Sequence, residues 1–327
     1  MSALWCAFSG QATRCRPVVQ SAVSQRSLSG TCARAAAAAA VYKSPVRVDF
    51  YYDTISPYSW LAFETLLRYR PVWNLEIQFK PVFMAGLSQA TSSNFLESLT
   101  KNQNKTRHMF QDIVRMGQYF KVPLRIPESP FYMLAVVGSL KQQRFLTAAQ
   151  MKFPDVTEDL SRSIWYRGWA EDLDIAKPDS LRMIGRRAGM SEEEVEEALA
   201  ASETQEVKDR LKSVTREAVD DGACGLPFLV FHVNKGDTDV ETYFGSDRFP
   251  VIAHRLGKFM RQFKLEIEVQ EWMDDLEWNG PVPDPNNFKE IEEPAEISKC
   301  FLSIEQYDEL NQKFVDNVKQ DFNIKDK

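Results

Sequence analysis

Between Val46 and Arg70 the chain passes from a buried strand straight into a helix, and this junction governs both the fold and the chemistry expected of it. The run Val46-Arg47-Val48-Asp49-Phe50-Tyr51-Tyr52-Asp53 is apolar and aromatic enough for a strand inside a sheet. Ser56 then offers an N-cap oxygen, and Pro57 takes the first helical position, where its missing N–H costs nothing. Leu61, Phe63, Leu66 and Leu67 interleave with Glu64, Arg68 and Arg70, as in an amphipathic helix. Such a helix start presents unused N–H groups and a partial positive charge, which stabilise anions.

Further elements follow in a definite order. A second strand is expected at about Leu75 to Val82 and a second helix from about Lys105 to Phe120, so the chain opens β-α-β-α. From about Ser129 to Gln205 the pattern is helical: Leu160, Ile164, Trp165 and Trp169 recur at helical spacing, and Ser191 to Glu194 is a capping box. A helix from Lys208 to Asp220, a strand from Phe228 to Val233, a strand around Thr242 to Phe244 and a helix from Phe249 to Phe259 complete an α-β-β-α ending. This is the layout of an α/β, thioredoxin-like domain over residues 46–283, with an all-helical insertion at about 129–205. Residues 284–327 form a polar tail of no assigned role, acidic at first, with a short helix expected from Ser303 to Val318.

Composition narrows the function. The hydrophobic content of 44% supplies a core, the aromatic share of 12% argues against disorder, and no apolar run approaches the length needed to span a bilayer. Residues 1–45 contain Arg14, Arg16, Arg26, Arg34 and Lys43 without one acid, and end on the run Ala35 to Ala40, the composition of a mitochondrial transit peptide. Removing those five charges from the formal −6 leaves about −11, which gives no general attraction for nucleic acid. Three of the five cysteines lie in that segment and no C-x-x-C pair occurs, so Cys224 and Cys300 read as free thiols in a reducing compartment. His108, His232 and His254 are dispersed and suggest no metal site.

In a thioredoxin-like fold the reactive group lies where the first strand meets the first helix, and redox members place a cysteine there, its thiolate favoured by the helix terminus. This chain has Ser56. Serine cannot exchange disulfides, so a thiolate must come from outside, and a hydroxyl can donate to the sulfur of bound glutathione and favour its ionised form. Leu226-Pro227 stands just before a strand, where such folds carry a cis proline facing the reactive position. Gly245-Ser246-Asp247-Arg248 can cap the last helix or meet a charged end of a ligand. Cys224 stands near enough to this site for modification by oxidants. Phe131, Tyr132, Trp165 and Trp169 either line a second-substrate pocket or fill the core, the commoner role of aromatics at helical spacing.

Together these stretches resemble the kappa-class glutathione transferases. The resemblance is carried by Phe50-Tyr51-Tyr52-Asp53, Ser56-Pro57-Tyr58-Ser59-Trp60, Arg144 to Ala148, Ala188 to Ser191, Gly222 to Pro227, Phe244 to Arg248 and Trp278 to Pro283. It implies a DsbA-like domain, a homodimer, a mitochondrial matrix or peroxisomal home, glutathione as co-substrate and no metal. It implies that Ser56 orients the glutathione thiolate, that Pro57 and Tyr58 line the site, that Leu226 next to Pro227 offers its backbone to the cysteinyl part, and that Ser246 and Asp247 hold the γ-glutamyl end. The family's Asn-Lys-Pro-Pro segment is replaced by Ser92-Ser93-Asn94-Phe95-Leu96 with extra residues, and Asn94 and Lys105 are the best matches to its glutathione contacts. The closing Asp326-Lys327 is no Ser-Lys-Leu signal, which disfavours the peroxisome. Two other readings stand beside conjugation or peroxide reduction. One is a glutathione-dependent isomerase like the 2-hydroxychromene-2-carboxylate isomerases, and the other is a non-catalytic, chaperone-like glutathione-binding protein.

Overall fold

The computed structural model describes residues 45–93, 101–233 and 240–256. Residues 1–44 of the expected transit segment, Asn94, the last residues of the helix expected to reach Phe259 and the tail after Pro283 lie outside the described residues.

Strand β1 (Val46–Tyr52) runs into α1 (Pro57–Trp73). Ser56 is the N-cap, in extended backbone, and its side chain accepts from the Ser59 N–H, while Asn74 closes the helix in the left-handed region. Strand β2 (Leu75–Pro81) returns parallel to β1, register Val46 to Leu75. A short helix not foreseen in the sequence, α2 (Met84–Ala90), follows, and then α3 (Gln103–Tyr119). Phe83 at the α2 N-cap makes no side-chain cap bond, so the sequence carries no start signal there.

The helical stretch comprises α4 (Pro130–Tyr132), α5 (Leu140–Lys152), α6 (Thr157–Trp165), α7 (Pro178–Arg187) and α8 (Glu192–Ser202). Both α4 and α6 end in π-helical turns, Met133–Val137 and Tyr166–Ala170. The capping box Ser191 to Glu194 is formed in both directions. Helix α9 (Gln205–Asp220) starts three residues before the expected Lys208, because Thr204 serves as its cap and accepts from the Val207 N–H. Strands β3 (Phe228–His232) and β4 (Val240–Phe244) and helix α10 (Phe249–Arg255) follow.

The sheet order is β2-β1-β3-β4, with β3 antiparallel to both neighbours. Alternation along β1 sends its side chains to two different layers. Phe50 and Tyr52 stack on each other and meet Phe63 of α1, Phe79 of β2 and Trp165 of α6. Tyr51 faces the other way, into a cluster with Val82, Leu87, Val214, Ala218, Leu226 and Phe228. Its hydroxyl donates to Glu217 of α9 at 3.1 Å and to Asp221, the C-cap of that helix, at 2.7 Å. The central strands are therefore covered on both faces, while on edge strand β4 only Glu241 and Tyr243 are partly buried. Among the described residues no helix is long and apolar enough to cross a membrane.

Candidate active site

Register places the expected site residues at one end of the sheet. Tyr51 of β1 pairs with Phe228 of β3, which pairs with Phe244 of β4. Just beyond this row lie the Asp53 to Ser56 turn, Leu226 with Pro227, and Gly245 to Asp247. The Leu226–Pro227 peptide is cis, and the Gly245 N–H donates to the Pro227 carbonyl at 3.0 Å, joining two of these segments directly. Gly245 has φ +105° and Asp247 Oδ1 fills the space a Cβ would take, so this tight turn needs glycine.

Ser56 is nearly buried, at 5% exposure. Its Oγ accepts from the Ser59 N–H at 3.2 Å, its N–H donates to the Asp53 carbonyl at 3.0 Å, and its own carbonyl accepts from Trp165 Nε1 at 3.1 Å. Cap acceptance uses an oxygen lone pair and leaves the hydroxyl proton available to a ligand. The preceding carbonyl, of Ile55, accepts from Trp169 Nε1 at 3.2 Å. Trp165 and Trp169 are thus core residues, at 0% and 1% exposure, that also grip the turn bearing Ser56. Phe131 is buried too, whereas Tyr132 is exposed.

Tyr58, in the first turn of α1, is half-buried and donates to Asp112 of α3 at 3.0 Å. Burial, then Asp112 and Asp247, push its phenol above the usual range, so it stays protonated and acts as a donor. Phe249 at the start of α10 stacks with Tyr69 of α1, ring centroids 5.9 Å apart, which ties the end of the β4–α10 loop to α1. Ser246 is buried and Asp247 exposed beside Arg248. The α10 N-cap is Arg248, with no side-chain cap bond, so the capping role open to this loop from sequence is not used. Lys105 is exposed on the first turn of α3, its N–H capped by Asn102, seven residues from the Asp112 that reaches Tyr58. Cys224 is exposed, two residues before Leu226. His232 lies at the opposite end of β3, 2.9 Å from Asp49. Among the described residues no three His, Cys, Asp or Glu side chains group to hold a metal.

Two polar residues that frame the turn were not singled out from sequence. Asp53 is fully buried, and its carboxylate accepts from the Ile55 N–H at 2.9 Å, the Met84 N–H at 2.8 Å and the Ser139 hydroxyl at 2.6 Å. Burial outweighs these donors and pushes its carboxyl up to about 6. Gln143 of α5 accepts from the Thr54 hydroxyl at 2.9 Å and donates to the Tyr52 and Val82 carbonyls at 3.2 and 2.8 Å. Asp53 carried a signal, an acid directly after an apolar strand; Gln143 carried none, since its partners are distant in sequence.

A family model described as a DSBA-like thioredoxin domain matches residues 47–257. Glutathione S-transferase kappa 1 of Homo sapiens is 34% identical over 239 residues, covering 73% of this chain and 95% of that protein. The chain belongs to the kappa family of glutathione S-transferases. This kappa-family chain is also similar, at 23% identity over 215 residues, to a 2-hydroxychromene-2-carboxylate isomerase of Pseudomonas putida, covering 66% of this chain and 96% of that one. A solved 2-hydroxychromene-2-carboxylate isomerase shares the fold with a TM-score of 0.52 and 19% identity, covering 67% of the kappa-family chain and 98% of its own.

Proposed function

We propose that the protein conjugates glutathione to small electrophiles, or uses it to reduce peroxides, by holding the glutathione thiolate against the Ser56 hydroxyl. The observation that carries this reading is the hydrogen-bonding state of Ser56: its oxygen accepts from the helix, and its proton has no acceptor among the described residues. A thiolate at the α1 start would receive that proton as a hydrogen bond and gain from the helix terminus, and both favour the ionised form. The sulfur then forms a bond to the electrophilic carbon as the leaving group departs with its electron pair. A lower thiol pKa raises the thiolate fraction but lowers its nucleophilicity, so orientation must supply much of the rate.

In the same reading, the Leu226 backbone meets the cysteinyl part, Ser246 and Asp247 hold the γ-glutamyl end, and Pro57 and Tyr58 wall the site. Asn94 and Lys105 remain the proposed contacts from the far loop. A homodimer and a mitochondrial address are further parts of the proposal, tested by light scattering and by import of the full chain. The higher identity to the kappa transferase than to the isomerase, 34% against 23%, favours conjugation over isomerisation. The decisive experiment measures glutathione binding and conjugation of an aryl halide by the full chain and by Ser56→Ala. The reading predicts that the variant still binds glutathione, loses most turnover and shows a raised thiol pKa. Binding without turnover in the wild type would sink it.

A further inference from the structure

We infer that Asp53 is a positioning residue, which sets the place of the Ser56 hydroxyl by locking its turn to the start of α2 and, through Ser139, to the helical stretch. The inference rests on the glutathione-transferase reading and deepens it. Its own turn and two segments distant in sequence meet at this one carboxylate. Oδ1 accepts from Ile55 within the turn, and Oδ2 accepts from Met84 at the start of α2 and from Ser139. Ser139 stands at the N-cap of α5, yet its hydroxyl makes no cap bond to that helix. It is committed to Asp53 at 2.6 Å instead.

The consequence for Ser56 follows from the rest of the turn. The Ile55 N–H is held by Asp53, the Ile55 carbonyl by Trp169 and the Ser56 carbonyl by Trp165, while the Ser56 N–H returns to the Asp53 carbonyl. The backbone around Ser56 is therefore anchored on either side of Cα, with Asp53 holding the Ile55 and Ser56 N–H groups. A hydrogen bond from Oγ to a thiolate weakens steeply with misalignment. A displacement of about 1 Å at a reacting group can cost on the order of a hundredfold in rate.

Asp53→Asn cannot satisfy all three donors. With its amide oxygen in the Oδ2 place, the NH2 opposes the Ile55 N–H; flipped, it opposes the Met84 N–H. Ser139→Ala removes a single donor and serves as the milder variant where Asp53→Asn does not fold. The test compares the full-length wild type, Asp53→Asn and Ser139→Ala for folding by circular dichroism, glutathione Kd, kcat and KM with an aryl halide, and the ultraviolet titration of the bound thiolate. A positioning role predicts a glutathione Kd within about threefold of wild type, a kcat lower by roughly ten- to a hundredfold in Asp53→Asn and severalfold in Ser139→Ala, and a thiolate titration moved to higher pH. A folded variant with unchanged kcat and thiolate titration overturns the inference, as does a loss confined to Kd. If the wild type itself binds no glutathione, the functional reading has failed first and the positioning role falls with it.

Discussion

The indole Nε1 of Trp165 donates to the carbonyl oxygen of Ser56 at 3.1 Å, joining the end of α6 to the cap of α1. The same ring lies parallel to Trp60 and packs against Tyr52 and Phe63, so its position is fixed from several sides. Trp165→Phe keeps an aromatic ring and removes the donor. The Ser56 carbonyl still accepts from the Trp60 N–H at 3.3 Å, so no acceptor is orphaned. The expected loss of stability is about 1–3 kcal/mol, from one hydrogen bond and some packing volume. Turnover should fall severalfold with KM for glutathione little changed. Urea denaturation and steady-state kinetics check both.

The hydroxyl of Ser56 has two roles that different substitutions separate. As N-cap it accepts from Ser59, and losing a serine cap to alanine costs about 1 kcal/mol, whereas glycine costs only a few tenths. As thiolate donor it is lost equally in both. Ser56→Ala and Ser56→Gly should therefore share one low turnover while differing in stability, with Gly the closer to wild type. If turnover followed stability across the pair, the hydroxyl would be acting only through the helix.

Asp53 makes stability depend on pH in a direction opposite to that of a salt-bridged carboxylate. Its carboxyl is raised from 3.8 to about 6 in the fold, so the folded state binds the proton more tightly than the unfolded chain. Its contribution is fully present below pH 3.8 and is lost as pH rises through 6, an amount on the order of 3 kcal/mol. Tyr52 is the neighbouring titratable group that feels Asp53, and its phenol, raised by burial, stays neutral throughout this window. Urea midpoints from pH 4 to 7 should fall more steeply in the wild type than in Asp53→Asn. Parallel curves would show that Asp53 does not titrate in this range.

The β1–α1 junction was legible because its signals are local: an apolar strand, a capping serine and a proline at the first helical position. The capping box at Ser191 was legible for the same reason. Helix α2 was not, because Phe83 offers no cap and seven residues are too few to establish a period. Helix α9 starts three residues before the expected Lys208, because Thr204 has no acidic partner three positions on to mark it as a cap. In the site, Ser56 and Leu226-Pro227 could be proposed from their order along the chain. The roles of Asp53, Gln143 and the two indole N–H groups could not, since each depends on partners that only the folded chain brings together. Trp165 and Trp169 show the limit well: helical spacing marked them as core, and no pattern in sequence says where a buried donor points.

Gly185 tests the packing of the helical stretch apart from the chemistry. A Cβ built there would lie 2.7 Å from Val195 Cγ2 and 3.4 Å from the Phe145 ring, so α7 approaches α8 and α5 with no room for a methyl group. Gly185→Ala gains up to about 1 kcal/mol in helix propensity, but overpacking of this kind costs about 1–3 kcal/mol. Val195 is buried in α8 and cannot swing into solvent, so the clash should win. The expected outcome is a net loss of up to about 2 kcal/mol by denaturant titration. Turnover of the remaining folded protein should be unchanged, because Trp165 and Trp169 reach the Ser56 turn from α6 and its π-helical extension rather than from α7. A variant with wild-type stability would mean that the α7–α8 contact can relax around a methyl group. A folded variant with lost turnover would mean that the helical stretch transmits its packing to Ser56 as one rigid body.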